Sequence, residues 1–220
     1  WGTSILDFIK TYKGDKPFCL IISLVNPHDI EYFPNGFDRG GYRLEDFEHM
    51  GIALPPNFRD DYDSKPTIQS LVRDIKDGTA PLSNTKMRLA YVNFYAYLQK
   101  VVDKHICEIL DALDARGFTD DTMILRFADH GENGLSHGMR EKVYAAYEEM
   151  IHVPMIVSYP KWFSSPLETE SLICHADVLP TVAAIAGIPA QTGGRLGWVG
   201  KDFTPILRNP AASVQDSIVY

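Results

Sequence analysis

Asp129 and His130 place a carboxylate beside an imidazole, and Lys142 adds an ammonium thirteen residues beyond Asp129, with Gly131, His137 and Gly138 in between. Hard carboxylate oxygen and imidazole nitrogen can hold one divalent cation from one side. Two ligands do not complete a site, so the rest would come from elsewhere, and on the dipeptide alone a His-Asp pair ordering a turn is the favoured reading. Lys142 is far enough along for the chain to loop out and return to the opening of a helix. A further polar group, His28, stands in Asn26-Pro27-His28-Asp29. His137 either lines a pocket or braces the loop, and the spacing does not choose between them. His175 reads as structural, placed before a helix cap, while His49, His105 and His152 belong to no constellation.

The elements that would position these groups are strands. Thr122 to Ala128 is a mostly apolar run with a β-branched start, and Asp129 follows it at once. In α/β sheets, ligands bind beyond the carboxyl ends of strands. Pro17 to Val25 is nearly unbroken in apolar residues, the pattern of a parallel strand buried on both faces, and it delivers His28 to the same edge. Val153 to Tyr159 gives a third strand after a short helical stretch around Val143 to Met150. Strand and helix therefore alternate, which predicts an α/β fold: a mostly parallel central sheet with helices on both faces.

The order of segments resembles a known family. PFCLIISLVNPHD, the run from Met87 to Gly117, DDTMILRFADHGENGLSHGMREK and HADVLPTVAAIAGIPA are similar to the second half of a sulfatase of the alkaline phosphatase superfamily. The resemblance covers most of the chain and is weakest between Ile30 and Asn84. It implies an alkaline phosphatase-like fold, incomplete at its amino terminus, in a single partial catalytic domain over residues 1–220. It implies that Asp129 and His130 ligate a divalent metal, calcium first. Lys142 would contact the sulfate and leaving oxygen, and His28 would stabilise charge or donate a proton to the leaving group. His137 would border the substrate, a small-molecule or carbohydrate sulfate ester. The runner-up is a phosphonate monoester or phosphodiester hydrolase of the same superfamily, with manganese or zinc. A noncatalytic binding fragment is the alternative of another class. In one respect the sequence departs from the family, which often has Gly at the position held by Leu135.

Sulfatases of this type make a formylglycine from the first residue of Cys-x-Pro-Ser-Arg or its serine version, and that motif does not occur in these 220 residues. Ser164-Ser165-Pro166-Leu167-Glu168 has Leu and Glu where Ser and Arg belong, and follows the wrong strand. The resemblance therefore predicts a formylglycine on a separate amino-terminal segment and a chain that is the middle-to-late part of a larger enzyme. Gly134-Leu135-Ser136-His137-Gly138 fits the nucleophile elbow of α/β-hydrolases. That elbow needs strand directly before its serine, whereas seven residues separate Ser136 from Ala128, and no histidine follows Asp177 to complete a triad.

A net charge of −8 argues against nonspecific binding to nucleic acid or anionic membrane, and no apolar run is long enough to span a bilayer. The three cysteines, an odd number in apolar surroundings, read as buried reduced thiols. The sequence lacks an Asn-x-Ser/Thr acceptor, which leans towards a bacterial enzyme of cytoplasm or periplasm.

Apolar residues from Tyr91 to Leu113 recur at three- and four-residue spacing, predicting a helix over 85–116 with Ser83 or Asn84 as cap and Gly117 as stop. Thr3 to Lys10 reads as a helix, and so does Val178 to Ala186, capped by Asp177 and ended by Gly187. Gln191 to Gly200 reads as a loop, Lys201 to Arg208 as a short helix, and the last residues as a strand. Residues 29–84 show weak periodicity and many Pro, Gly and Asp. They read as a long excursion beside His28, either a wall of the substrate pocket or a surface insertion.

Overall fold

A computed structural model describes residues 2–142 and 145–218. Its helices are α1 (Gly2–Thr11), α2 (Leu44–Phe47), α3 (Thr67–Thr79), α4 (Thr85–Ala115), α5 (Glu148–Ile151), α6 (Val178–Ile185), α7 (Ala190–Leu196) and α8 (Thr204–Arg208). Its strands are β1 (Ile124–Phe127) and β2 (Met155–Ser158), paired as a two-stranded sheet. The chain packs as two compact units, one of residues 1–119 with 130–155, the other of residues 120–129 with 156–220.

The first unit is organised by α4. Asn84 caps it by accepting the Met87 N–H at 3.0 Å, as its residue type predicts. At the other end Gly117 takes φ +66°, while the N–H groups of Gly117 and Phe118 return to the carbonyls of Asp114 and Leu113. That double return satisfies carbonyls the helix leaves unpaired. Tyr91, Phe94 and Leu98 on one face of α4 are buried against Phe33, Phe47 and Leu135. Phe47 and Phe94 are the tightest ring pair there, with centroids 4.7 Å apart. The amino-terminal half of α4 thus lies in the core, and the predicted inward residue Leu110 is exposed.

Residues 29–84 are more ordered than their composition suggests. They hold α2 and α3, and buried Asn93 of α4 pins them by bonding both the N–H and the carbonyl of Ile52. The stripe Ile68, Leu71, Ile75 of α3 faces outward and Val72 inward. Arg116 closes the carboxyl end of α1, donating to the carbonyls of Ile9, Lys10 and Tyr12.

In the second unit, Asp177 ties three segments together. Its carboxylate accepts from the N–H of Cys174, the N–H of Lys201 and the Gln215 amide. Burial pushes this carboxyl up, but the backbone donors outweigh burial and hold it below the ordinary range. It works as a junction and not as the side-chain cap the sequence predicted for α6.

Four expectations are corrected. A mostly parallel sheet is not formed: among the described residues the sheet has two strands. Pro17 to Val25 belongs to neither strand. It keeps the alternation of an extended chain, with Phe18, Leu20, Ile22 and Leu24 partly covered while Ile21 and Val25 stay exposed. An extended run becomes a ladder strand only when neighbours take its N–H and C=O groups. Residues 191–196, part of the stretch to Gly200 read as loop, belong to α7, ended by Gly197 at φ +72°. Cys19 and Cys107 are free, as expected of reduced thiols, but exposed instead of buried. Val143 and Tyr144 of the expected helical stretch, and Val219 and Tyr220 of the expected last strand, lie outside the described residues. Ser217 and Ile218 are not in a strand.

Candidate functional site

β1 ends at Phe127, so Asp129 follows the strand's carboxyl end as its sequence position requires. His175 secures that end, its Nε2 lying 2.7 Å from the Ala128 carbonyl, which bears out its structural reading. Asp129 falls in the second unit and His130 in the first; both are exposed.

From Gly131 the chain makes a closed loop. The N–H groups of Gly131 and Glu132 bond the carbonyls of Met150 and Glu149 at 2.8 and 3.1 Å, fastening the loop to α5. Only glycine fits at 131, because a Cβ there would lie 1.9 Å from the Glu149 carbonyl oxygen. The Asn133 N–H bonds the Glu141 carbonyl, and Leu135 N–H that of Met139. This closure explains the thirteen-residue spacing: the loop returns on itself and brings Lys142 back to its base.

Glu132 holds the loop from inside. Its Oε1 accepts from the Tyr91 hydroxyl at 2.7 Å, the Glu141 N–H at 2.7 Å and the Gly134 N–H at 3.2 Å. Burial raises its pKa, against the pull of those donors. Gly134 and Leu135 both take positive φ, +56° and +72°. Left-handed backbone favours glycine, so Leu135 holds a conformation that its side chain must be packed into. Here the leucine side chain is buried in the α4 core.

Lys142 and His28 do come together, through a residue that sequence reasoning missed. Lys142 Nζ lies 2.6 Å from Glu31 Oε1, and His28 Nε2 lies 3.7 Å from Glu31 Oε2. His28 and Glu31 share the single 3-10 turn His28–Tyr32, where residues three apart eclipse. That i, i+3 spacing was the available signal. The turn is held by Asn26, whose Oδ1 accepts the Asp29 N–H, and by Tyr42, whose hydroxyl donates to Asp29 at 2.6 Å. Burial, with Asp29 adding, pushes the Tyr42 pKa up to about 12, so it stays a donor.

His137 braces the loop. Its Nδ1 lies 2.7 Å from Asp60 Oδ2, its Nε2 lies 3.3 Å from the Asn57 amide nitrogen, and its ring stacks on Tyr147 at 3.8 Å. Asp60 and Asn57 belong to the excursion, so His137 ties that segment to the loop. Burial pushes the Glu149 carboxyl up, but hydrogen bonds from backbone, Asn57 and Ser136 hold it below its ordinary range beside this imidazole.

Whether this chain can serve a metal depends on its donor set. Among the described residues no group of three or more His, Cys, Asp or Glu side chains gathers around one point. The two expected ligands still fit in kind. His130 Nδ1 lies 2.8 Å from the Gly131 carbonyl. A carboxylate oxygen and an imidazole nitrogen, the latter on a ring held beside backbone, are the donor types a divalent cation takes from one side.

The sulfatase family profile matches residues 2–188, and the chain belongs to the sulfatase family. It is 30% identical over 186 residues to a Delta 4,5-hexuronate-2-O-sulfatase of Bacteroides thetaiotaomicron, covering 81% of this chain and 38% of that protein. Among solved structures it resembles a 2-O GAG sulfatase, with TM-score 0.72 and 25% identity over 94% of this chain and 44% of that one. It also resembles the phosphonate monoester hydrolase of Agrobacterium radiobacter in fold, with TM-score 0.68 and 21% identity over 96% of this chain and 42% of that one. The fold is thus the alkaline phosphatase-like one of the sulfatases, and the chain spans about two fifths of the length of the curated relatives it matches.

Proposed function

We propose that this chain supplies one side of the active site of a sulfatase hydrolysing carbohydrate sulfate monoesters. The observation that carries this reading is the meeting of His28 and Lys142 at one carboxylate, where an anion can sit between two donors. Similarity to a hexuronate-2-O-sulfatase supports a carbohydrate ester. Sulfatases generally use a divalent metal and a formylglycine, which supply a Lewis acid for the sulfate and a nucleophile for sulfur; calcium is the favoured metal.

The chain's own residues act around that chemistry. Asp129 and His130 would ligate the cation. As the S–O bond breaks, its electron pair stays on the alcohol oxygen. Lys142 Nζ neutralises the charge growing there, and protonated His28 donates a proton to the same oxygen. His137 holds the part of the 29–84 excursion around Asn57 and Asp60 against the loop and so shapes the wall of the pocket. Phosphonate monoester hydrolysis is the second reading, favoured by likeness of fold alone.

The complete enzyme should be assayed with calcium against hexuronate 2-O-sulfate, an aryl sulfate and a phenyl phosphonate monoester. Preference for a sulfate is expected, with Lys142→Ala lowering turnover about 10²- to 10³-fold. Greater efficiency on the phosphonate, or a Lys142→Ala enzyme with unchanged turnover, would overturn the assignment.

A further inference from the structure

Glu31 is unexpected where it stands. Its two carboxylate oxygens divide between Lys142 and His28, one contact each, as two oxygens of a bound sulfate would. Burial pushes its carboxyl up, yet the hydrogen bond and charge of Lys142, with His28 and Lys76 adding, bring it below its ordinary range. The residue is therefore an anion at neutral pH. The side chains of Glu31 and Lys142 are 32% and 25% exposed, so the contact is reachable from solvent and can open, as partly exposed ion pairs do.

A sulfate ester cannot take Lys142 without coming within a few ångströms of that carboxylate, and the repulsion grows with the charge of the newcomer. A sulfate monoester carries one negative charge. Inorganic sulfate and a phosphate monoester at neutral pH carry two. We propose that Glu31 is a specificity-determining counter-anion: it occupies Lys142 and His28 in the free enzyme, yields to a monoanionic sulfate ester, and disfavours dianions, including the sulfate product. The proposal rests on the sulfatase reading for the identity of the substrate but not for the charge relation itself. It also gives the 3-10 turn two tasks, since one element presents the proton donor and the group that screens its site.

The test uses the complete enzyme, with Glu31→Gln as the isosteric neutral variant and Glu31→Ala as a second. Inhibition by inorganic sulfate and KM for 4-nitrophenyl sulfate are measured at low and at high salt. In Glu31→Gln the inhibition constant for sulfate should fall about tenfold and KM only about threefold, with both effects shrinking as salt screens the charge. Equal changes for monoanion and dianion, or an inhibition constant that stays or rises, would overturn the proposal.

A second readout does not need turnover. Lysines carrying a ¹³C-dimethyl label are followed by NMR, the Lys142 signal being assigned with Lys142→Arg. That signal should shift in Glu31→Gln and respond to inorganic sulfate at about one tenth of the wild-type concentration. If the wild-type enzyme turns over no sulfate ester while Lys142 shows this behaviour, the sulfatase reading fails and the counter-anion stands. If turnover is normal and the Lys142 signal ignores Glu31, the reverse holds.

Discussion

Removing the Tyr91 hydroxyl, with Tyr91→Phe, tests whether Glu132 is what fastens the loop bearing His130 and Lys142. Tyr91 is 1% exposed, and its hydroxyl donates to a buried carboxylate at 2.7 Å. A hydrogen bond to a charged group contributes about 1.5 to 3 kcal/mol. Phenylalanine preserves the packing of the α4 core, so the loss should be close to that range. For a protein of this size each kcal/mol lowers Tm by about 2 to 4 °C, which gives a drop of about 3 to 12 °C. The effect has a pH signature. Glu132 already has a folded pKa above its unfolded value, about 4.3. The stability it contributes is therefore complete below the unfolded pKa and is lost as pH rises through the folded one. Taking away a donor to the carboxylate raises the folded pKa further, so the Tm deficit of Tyr91→Phe should be small in acid and widen towards neutrality. Thermal unfolding by circular dichroism from pH 4 to pH 8 measures this, and hydrogen exchange at the Gly134 and Glu141 amides reports the loop. A deficit independent of pH, or loop amides as protected as in wild type, would refute the role given to Glu132.

Other outcomes are expected. Asp129→Ala should abolish metal binding by the complete enzyme, as read by metal analysis after dialysis, because a carboxylate ligand is lost. Asn84→Ala should cost about 1 kcal/mol of stability through the lost cap, seen in denaturant midpoints. His137→Ala should loosen residues 51–65 and speed proteolysis there, while the melting of the rest changes little; unaltered cleavage would return His137 to a purely substrate-facing role.

Some of this was legible from residue types and some was not. The long helix was, because Tyr91, Phe94 and Leu98 carry the helical period and Asn84 and Gly117 mark its ends in chemically explicit ways. That the chain loops out after Asp129 and returns at Lys142 was, because thirteen residues are enough for it, but the helix expected to cover 143–150 is seen only from Glu148. Helix α3 was missed although Ile68, Leu71, Val72 and Ile75 have helical spacing, since the Pro- and Asp-rich flanks suggested irregular chain. The Phe18 to Val25 run shows the opposite error. Apolar composition gives a segment's taste for burial but not its partners, and ladder bonds depend on partners. Glu31 went unnoticed for a related reason: a lone glutamate in a loop is ordinary until the fold brings Lys142 across to it.

The glycine at position 131 bears on how this site could be rebuilt. With no room for even a methyl group against the Glu149 carbonyl, the backbone at Gly131 and Glu132 and the helix Glu148–Ile151 form one interlocked part. Its glycine records a fit between two pieces of backbone and contributes no chemistry of its own. A designer moving this loop to another scaffold would have to transplant both pieces, and a mutational library at 131 would return almost nothing but wild type.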